Sequence, residues 1–217
     1  LLSAVRLLMT VLYDAGHIDT LLLPARGMAG NGGELETLLS EPEVARVLDS
    51  IDLESSLGVR DRSLLELMYG SALRAGEAAR LRWEDVNLDG RLAVIRRSKF
   101  DRDRVVPLTH EAVEMLRRQA LRLGTPPPSS LVFPGYRGKA LSVGYINRRF
   151  KELCERIGVY RPGVTSHQLR HACATHLVSH GANLRYVQEL LGHESIQTTV
   201  RYTKEQADEV QKAYRRY

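Results

Sequence analysis

Six side chains in this sequence are of the types that attack on a phosphodiester requires: Arg74, Lys99, His167, Arg170, His193 and Tyr202. The transition state of that attack carries additional negative charge on the non-bridging oxygens. Two guanidinium groups can bind those oxygens with paired, directional hydrogen bonds, which the point charge of an ammonium group does not match. A histidine can add a further hydrogen bond or carry the proton of the nucleophile.

The tyrosine and the lysine complete such a reaction. A tyrosine hydroxyl can act as the nucleophile and form a covalent phosphotyrosine, which keeps the energy of the broken bond for rejoining. A lysine on a mobile hairpin can protonate the leaving 5′-oxygen, provided that nearby positive charge lowers its pKa. Because the arginines neutralise the charge that magnesium neutralises in other phosphoryl transfers, we expect no metal and no cofactor.

The spacing of four of these residues is consistent with one site. His167 and Arg170 are three residues apart and so share one face of a predicted helix. His193 directly follows the glycine that ends another predicted helix, and Tyr202 comes nine residues later.

Four segments, together with a hairpin that carries Lys99, resemble the catalytic motifs of the tyrosine recombinases, the family of the phage integrases, Cre and the Xer recombinases. In chain order, the segments are Ala72-Leu73-Arg74-Ala75-Gly76-Glu77, His167-Gln168-Leu169-Arg170-His171, Leu190-Leu191-Gly192-His193 and Thr198-Thr199-Val200-Arg201-Tyr202. The resemblance covers roughly residues 36–217. Each motif alone is weakly specific, whereas all of them in the family's order form a strong signal.

The resemblance implies these roles: phosphate binding for Arg74 and Arg170, general acid catalysis for Lys99, charge stabilisation and proton transfer for His167 and His193, formation of a 3′-phosphotyrosine for Tyr202, and support of the first arginine for Glu77. Two positions depart from the family's pattern. Ser71 stands where a glycine or threonine is common, and Phe100 replaces a glycine that usually follows the lysine. We expect the serine to be tolerated.

The resemblance also implies a partner and an assembly. The partner is double-stranded DNA with an inverted-repeat site, cut and rejoined through a Holliday junction by a homotetramer. A C-terminal helix with an apolar stripe at Val210, Ala213, Tyr214 and Tyr217 would dock into a neighbouring protomer. We expect a cytoplasmic, nucleoid-associated protein without a membrane partner.

Two other functions remain as alternatives. A type IB topoisomerase relaxes DNA with a similar set of residues. A sequence-specific DNA-binding protein that has lost catalysis is the other alternative, although all six catalytic positions are filled by competent residues. The Leu-Leu-Gly-His motif and the hairpin lysine favour a recombinase. Residues 98–104 also fit an exposed turn of alternating charge, but the mobility of a hairpin tip suits a proton donor.

Two histidine pairs with helical spacing could be mistaken for zinc ligands. His167 and His171 form one pair, and His176 and His180 form the other. We expect no zinc, because no third ligand has a suitable spacing and Arg170 would bring a positive charge to the first pair. We predict that His176 and His180 are ordinary residues of a helix surface.

Composition limits the broad class. Of 217 residues, 43% are hydrophobic and 26% are charged, as in a globular protein, and the net charge of +5 is compatible with a nucleic-acid partner. The two cysteines have no CxxC partner and fit a reducing compartment. A glycine-rich phosphate loop and a spaced carboxylate trio are both absent from the sequence, which argues against nucleotide hydrolysis and two-metal nuclease chemistry.

Periodicity and turn signals predict a mainly α-helical domain with one small antiparallel sheet, an α+β class. We predict helices near residues 41–50, 59–72, 75–81, 109–124 and 142–157, and further helical pieces from 165 onward. Strands are predicted at 91–96, 104–106 and 131–133. We assign residues 1–23 to the last helix of a truncated core-binding (SAM-like) domain, 24–35 to a linker and 36–217 to the catalytic domain with its C-terminal exchange helix.

Overall fold

The computed structural model describes residues 38–96 and 103–192. The predicted segments 1–23 and 24–35 and the predicted C-terminal helix lie outside these residues. The elements in chain order are α1 Glu41–Asp49, α2 Ser56–Gly70, α3 Ala75–Arg80, β1 Val86–Asn87, β2 Leu92–Ile95, β3 Arg104–Pro107, α4 His110–Leu123, α5 Val143–Arg156, α6 His167–Ser179 and α7 Leu184–Leu191. The predicted α+β fold class, mainly helical with a small sheet, is confirmed.

Capping residues set most of the helix starts. The Ser40 backbone N–H and Oγ donate to the Glu43 carboxylate over 2.8 and 2.9 Å, as the capping-box pattern predicts. Later helices begin where a side chain accepts a backbone N–H of the first turn, at Ser55, Thr109, Ser142 and Asn183. Gly192 ends α7 with a φ of 63°, a left-handed conformation that glycine adopts without strain.

The three strands form one antiparallel sheet in the order β1-β2-β3. In the β2–β3 hairpin, Ala93 pairs with Val106 and Ile95 pairs with Arg104. The hairpin is therefore present as predicted, and the segment that contains Lys99 connects its two strands. Lys99 itself lies outside the described residues.

Helix α2 lies at the centre of the hydrophobic core. It packs against α1, α3, α4 and α6, and Leu67 and Met68 in its last turns have no exposed surface. Its buried Ser63 Oγ lies 2.7 Å from Val59 O and 3.0 Å from Met115 O, either of which can accept the hydroxyl proton, so this polar group is satisfied inside the core. The contact of α2 with α6 brings the chain just before Arg74 next to the helix of His167 and Arg170. No helix in the described part of the chain is long and apolar enough to cross a membrane.

A tight turn links α2 to α3. Ala72 has a φ of 52°, in the left-handed region that alanine rarely adopts. Ser71 is fully buried, and its Oγ donates to Pro107 O at the end of β3 over 2.7 Å. The serine hydroxyl thus ties the turn to the sheet.

The sequence prediction of the short strands was partly wrong. Residues 131–133 do not form a strand, and only Leu131 makes an isolated bridge, with Arg82. The strand Val86–Asn87 was not predicted, because its two residues lie between turn signals and pair with β2 only in the folded chain.

Candidate active site

Arg74 is the N-cap residue of α3, and Glu77 folds back onto it. The Glu77 carboxylate accepts the Arg74 backbone N–H over 2.8 Å and its Nη1 over 3.0 Å. The Arg74 side chain is 40% exposed, and its Nε and Nη2 donate to no residue in the ranges 38–96 and 103–192. Part of this guanidinium group is therefore available to an external anion.

Arg170, by contrast, is buried. It lies in the first turn of α6, is 3% exposed, and donates from Nη1 to Ala72 O over 2.6 Å and from Nη2 to Leu191 O. Burial, followed by the charges of Arg74 and Arg104, lowers the pKa of Arg170 to about 9, although Glu77 partly opposes this shift. A buried cation in this position gains stability when an anion approaches.

Two guanidinium groups bind the Glu77 carboxylate at this site, and a third, that of Arg170, interacts with it through its charge. Arg104 joins Arg74 and Arg170 around Glu77, and it donates from Nη1 and Nη2 to the two Glu77 oxygens over 2.8 Å each. Among the described residues, this cluster of four side chains carries a net charge of +2. Such an excess suits a phosphodiester, and still more the additional charge of its transition state.

Residue Arg104 was not singled out by the sequence prediction. It was assigned only to the charged hairpin, although alternation along β3 puts it on the same face of the strand as the buried Val106. Its side chain is 9% exposed. Charge at a core-facing strand position was the signal that could have identified it.

His167 completes the described part of the site. Burial, followed by the charges of Arg170 and Arg74, lowers the pKa of His167 below its usual range, so the imidazole is neutral at pH 7. A neutral ring donates from one nitrogen and accepts at the other, as proton transfer requires. The His167 and His171 rings meet edge to face with their centroids 4.4 Å apart.

Four of the seven predicted site residues thus lie together: Arg74, Glu77, His167 and Arg170. Lys99, His193 and Tyr202 lie outside the described residues, and their roles stay predictions. The preceding element does place the chain just before His193, because α7 ends at Leu191 and its last carbonyl oxygen is bound by Arg170.

The prediction that His176 belongs to a helix surface was wrong. His176 is 7% exposed, and its Nδ1 lies 2.9 Å from Tyr69 Oη on α2. Burial lowers the pKa of His176, so the ring is neutral within the core. Within the described ranges, no three His, Cys, Asp or Glu side chains are grouped so that they could hold a metal ion.

Glu77 gives a prediction for the pH dependence of stability. Its burial raises the pKa, but hydrogen bonds and charge from Arg104 outweigh burial and lower the pKa of Glu77 from 4.5 to about 2. The ionised carboxylate therefore stabilises the fold above pH 4.5, and this contribution, on the order of 3 kcal/mol, is lost as the pH falls towards 2. Urea unfolding between these pH values should show a smaller loss of stability in Glu77→Gln than in the wild type. Parallel curves for the two proteins would contradict this assignment.

Comparisons with protein families and with curated proteins show which proteins this chain is similar to. The model of the Phage integrase family matches residues 37–209. The chain is 36% identical over 213 residues to tyrosine recombinase XerC of Xanthomonas axonopodis pv. citri, covering 98% of the chain and 68% of the relative. It is 40% identical over 177 residues to tyrosine recombinase XerD of Pseudomonas putida, covering 79% and 58%. The chain thus spans between 58 and 68% of the length of these two relatives.

Solved structures have the same fold. The crystal structure of XerA recombinase superposes with a TM-score of 0.66 at 25% identity, covering 94% of this chain and 69% of that one. A post-cleavage complex of XerH site-specific recombinase with a palindromic difH substrate gives a TM-score of 0.66 at 28% identity, covering 81% and 52%. Because the family model covers most of the sequence and both curated relatives exceed 30% identity, the chain belongs to the phage integrase family, as the catalytic domain of a tyrosine recombinase.

Proposed function

We propose that this protein is a site-specific recombinase that cuts and rejoins double-stranded DNA through a covalent 3′-phosphotyrosine at Tyr202. Its substrate is an inverted-repeat site, its strands are exchanged through a Holliday junction, and it acts in the cytoplasm at the nucleoid. The main support is the pairing of the half-exposed Arg74 with the buried Arg170 around Glu77. The names of the relatives agree with it, as does the solved XerH complex with its difH substrate.

Each step of the reaction has a group of this chain to carry it. Arg74 and Arg170 bind the non-bridging oxygens of the scissile phosphate and stabilise their extra charge in the transition state. Tyr202 Oη forms a bond to phosphorus as the bond to the 5′-oxygen breaks, and the neutral His167, with His193, receives the phenolic proton. Lys99 gives a proton to the leaving 5′-oxygen. Rejoining is the same sequence in reverse, with the 5′-hydroxyl of the partner strand as the nucleophile.

The test is capture of the covalent intermediate. A duplex site selected by the protein from a random library is nicked near the cleavage position, so that the released fragment diffuses away and rejoining fails. We expect a covalent protein–DNA adduct whose nucleotide-bearing peptide, identified by mass spectrometry, contains Tyr202. Binding of the site without any adduct would instead indicate a DNA-binding protein without catalysis. Relaxation of supercoiled DNA without exchange between two sites would indicate the topoisomerase-like alternative.

For assembly, we propose that the C-terminal helix of one protomer docks into an apolar cavity of its neighbour. A cavity of about 680 Å³ opens between α1, α2 and α6, lined by Val44, Leu48 and Leu177 among others. Its lining also includes the acidic residues Glu41, Asp49, Glu66 and Glu111 and the basic residues Arg62 and Arg91. The predicted helix after Thr203 offers an apolar stripe, and its basic residues are Lys204, Lys212, Arg215 and Arg216. An amphipathic helix in an apolar groove is a common mode of recognition.

Deletion of the residues after Lys204 tests this docking. We expect the tetrameric complex on two sites to weaken by at least about tenfold in protein concentration, because helix docking contributes apolar burial only between protomers. Binding of one protomer to one half-site should change little. The Ala45→Trp variant, which fills the exposed mouth of the cavity, should reproduce the defect with the C-terminus intact. Equal losses of assembly and half-site binding in a gel-shift titration would refute the docking model.

A further inference from the structure

Arg104 forms a network that no assigned role explains. It is the first residue of β3, five residues after Lys99 in the chain, and its side chain is 9% exposed. Its two Nη atoms bind the two Glu77 oxygens over 2.8 Å, and its Nε donates to Leu190 O over 3.1 Å. One side chain thus joins the lysine-bearing hairpin, α3 and the end of α7.

Its first effect is on Arg74. Because Arg104 engages both oxygens of Glu77, Arg74 keeps only one side-chain hydrogen bond to that carboxylate, from Nη1 over 3.0 Å. If Arg104 were removed, the buried carboxylate would still need compensation, and Arg74 is the adjacent cation. A fork-to-fork pair between Arg74 and Glu77 would then occupy the donors that a phosphate requires.

Its second effect is on the end of α7. The last carbonyl oxygens of a helix have no partner inside the helix. Here Leu190 O is bound by Arg104 and Leu191 O by Arg170, immediately before Gly192 and His193. The same cluster that surrounds Glu77 therefore anchors the chain immediately before His193.

We propose that Arg104 is a positioning residue for DNA cleavage: it saturates Glu77 so that the Arg74 guanidinium stays free for the scissile phosphate, and it holds the end of α7 that leads to His193. This inference rests on the proposed function. Arg104 itself does not touch the phosphate, and it acts through Glu77 and Leu190.

The molecule contains a matched control for the general cost of losing such a network. Arg161 makes the same kind of contacts elsewhere: it donates to both Glu43 oxygens, over 2.7 and 3.3 Å, to Leu38 O over 2.7 Å and to Val159 O over 3.2 Å. The bonds to Glu43 tie α1 to the segment between α5 and α6. The Arg161→Met variant should therefore lose at least as many hydrogen bonds as Arg104→Met and leave DNA cleavage at the wild-type rate.

The experiment measures single-turnover cleavage of the nicked duplex at saturating protein. We expect Arg104→Met to cleave about 100-fold more slowly, the scale of a small misplacement of a catalytic group. Arg104→Lys, which keeps the charge and loses the fork, should be slower by about tenfold. Adding Glu77→Gln to Arg104→Met should raise the cleavage rate by about tenfold over the single variant, because a neutral amide does not form an ion pair with Arg74. If Arg104 had only a structural role, the double variant would cleave as slowly as Arg104→Met alone, or more slowly.

A second readout does not depend on cleavage. A neutral methylphosphonate is placed in turn at each phosphate of the spacer in the selected duplex. At the phosphate that Arg74 and Arg170 bind, this change should lower the affinity of the wild type and of Arg161→Met by about tenfold. It should lower the affinity of Arg104→Met by clearly less, because only Arg170 remains free to bind that phosphate. The quantity compared is the ratio of the affinity for the unmodified duplex to the affinity for the methylphosphonate duplex. If the wild type forms no adduct, the proposed function fails, while this affinity ratio still decides the role of Arg104. An unchanged ratio in both Arg104→Met and Arg104→Lys would overturn the inference.

Discussion

Tyr202→Phe is expected to bind the selected DNA site as tightly as the wild type and to form no covalent adduct. The substitution keeps the ring and removes only the hydroxyl oxygen that bonds to phosphorus. Loss of a nucleophile from an otherwise intact site costs about 10⁶-fold in rate, beyond the detection limit of a gel assay. The measurement is the yield of adduct on the nicked duplex, paired with a gel-shift titration of the same duplex.

Other tyrosines of the chain serve as matched controls. Tyr160 packs against Lys151, whose Nζ lies 4.9 Å from the ring centroid, and Tyr186 is a half-buried residue of α7. Tyr160→Phe and Tyr186→Phe should form adduct at the wild-type rate. An adduct that persists in Tyr202→Phe and disappears in one of these variants would show that the nucleophile was misassigned.

The helices could be predicted because their ends are encoded locally. Ser40 with Glu43, and Gly124 after α4, are neighbours in sequence that form caps without help from the rest of the fold. The predicted strand at 131–133 was wrong because local sequence does not encode the pairing of Leu131, whose partner Arg82 is distant in the chain. The prediction for His176 was wrong for a related reason. Its burial depends on Tyr69 of α2, and the helical periodicity of α6 does not encode that contact.

The site was predictable to the extent that its residues belong to short motifs. Arg74 with Glu77, and His167 with Arg170, are each three residues apart, and each pair contributes to the described cluster. Arg104 belongs to no such motif, because it is 27 residues from Glu77 and 86 from Leu190. Its hydrogen bonds depend on the tertiary arrangement that brings β3 next to α3 and α7, which spacing along the chain does not specify.

The buried position of Arg170 has a cost for the stability of the folded protein. Burial and two neighbouring cations lower its pKa from 12.5 to about 9, which corresponds to a cost on the order of 5 kcal/mol for holding the charge. Its hydrogen bonds to Ala72 O and Leu191 O oppose that cost, at about 1 to 3 kcal/mol for each carbonyl group that would otherwise be left unsatisfied. The two effects are similar in size, so the folded protein gains little from this arginine until a phosphate binds.

Arg170→Met is therefore expected to reduce the cleavage rate by about 10³-fold while changing the free energy of unfolding by no more than about 2 kcal/mol. Arg170→Lys should cleave almost as slowly and be less stable than Arg170→Met, because a lysine retains the buried charge and cannot reach both carbonyl oxygens in a fixed fork. Urea unfolding and single-turnover cleavage of the nicked duplex measure the two quantities in the same preparations. If Arg170→Met lost more than about 4 kcal/mol, the carbonyl bonds would outweigh the buried charge, and Arg170 would be a structural residue first.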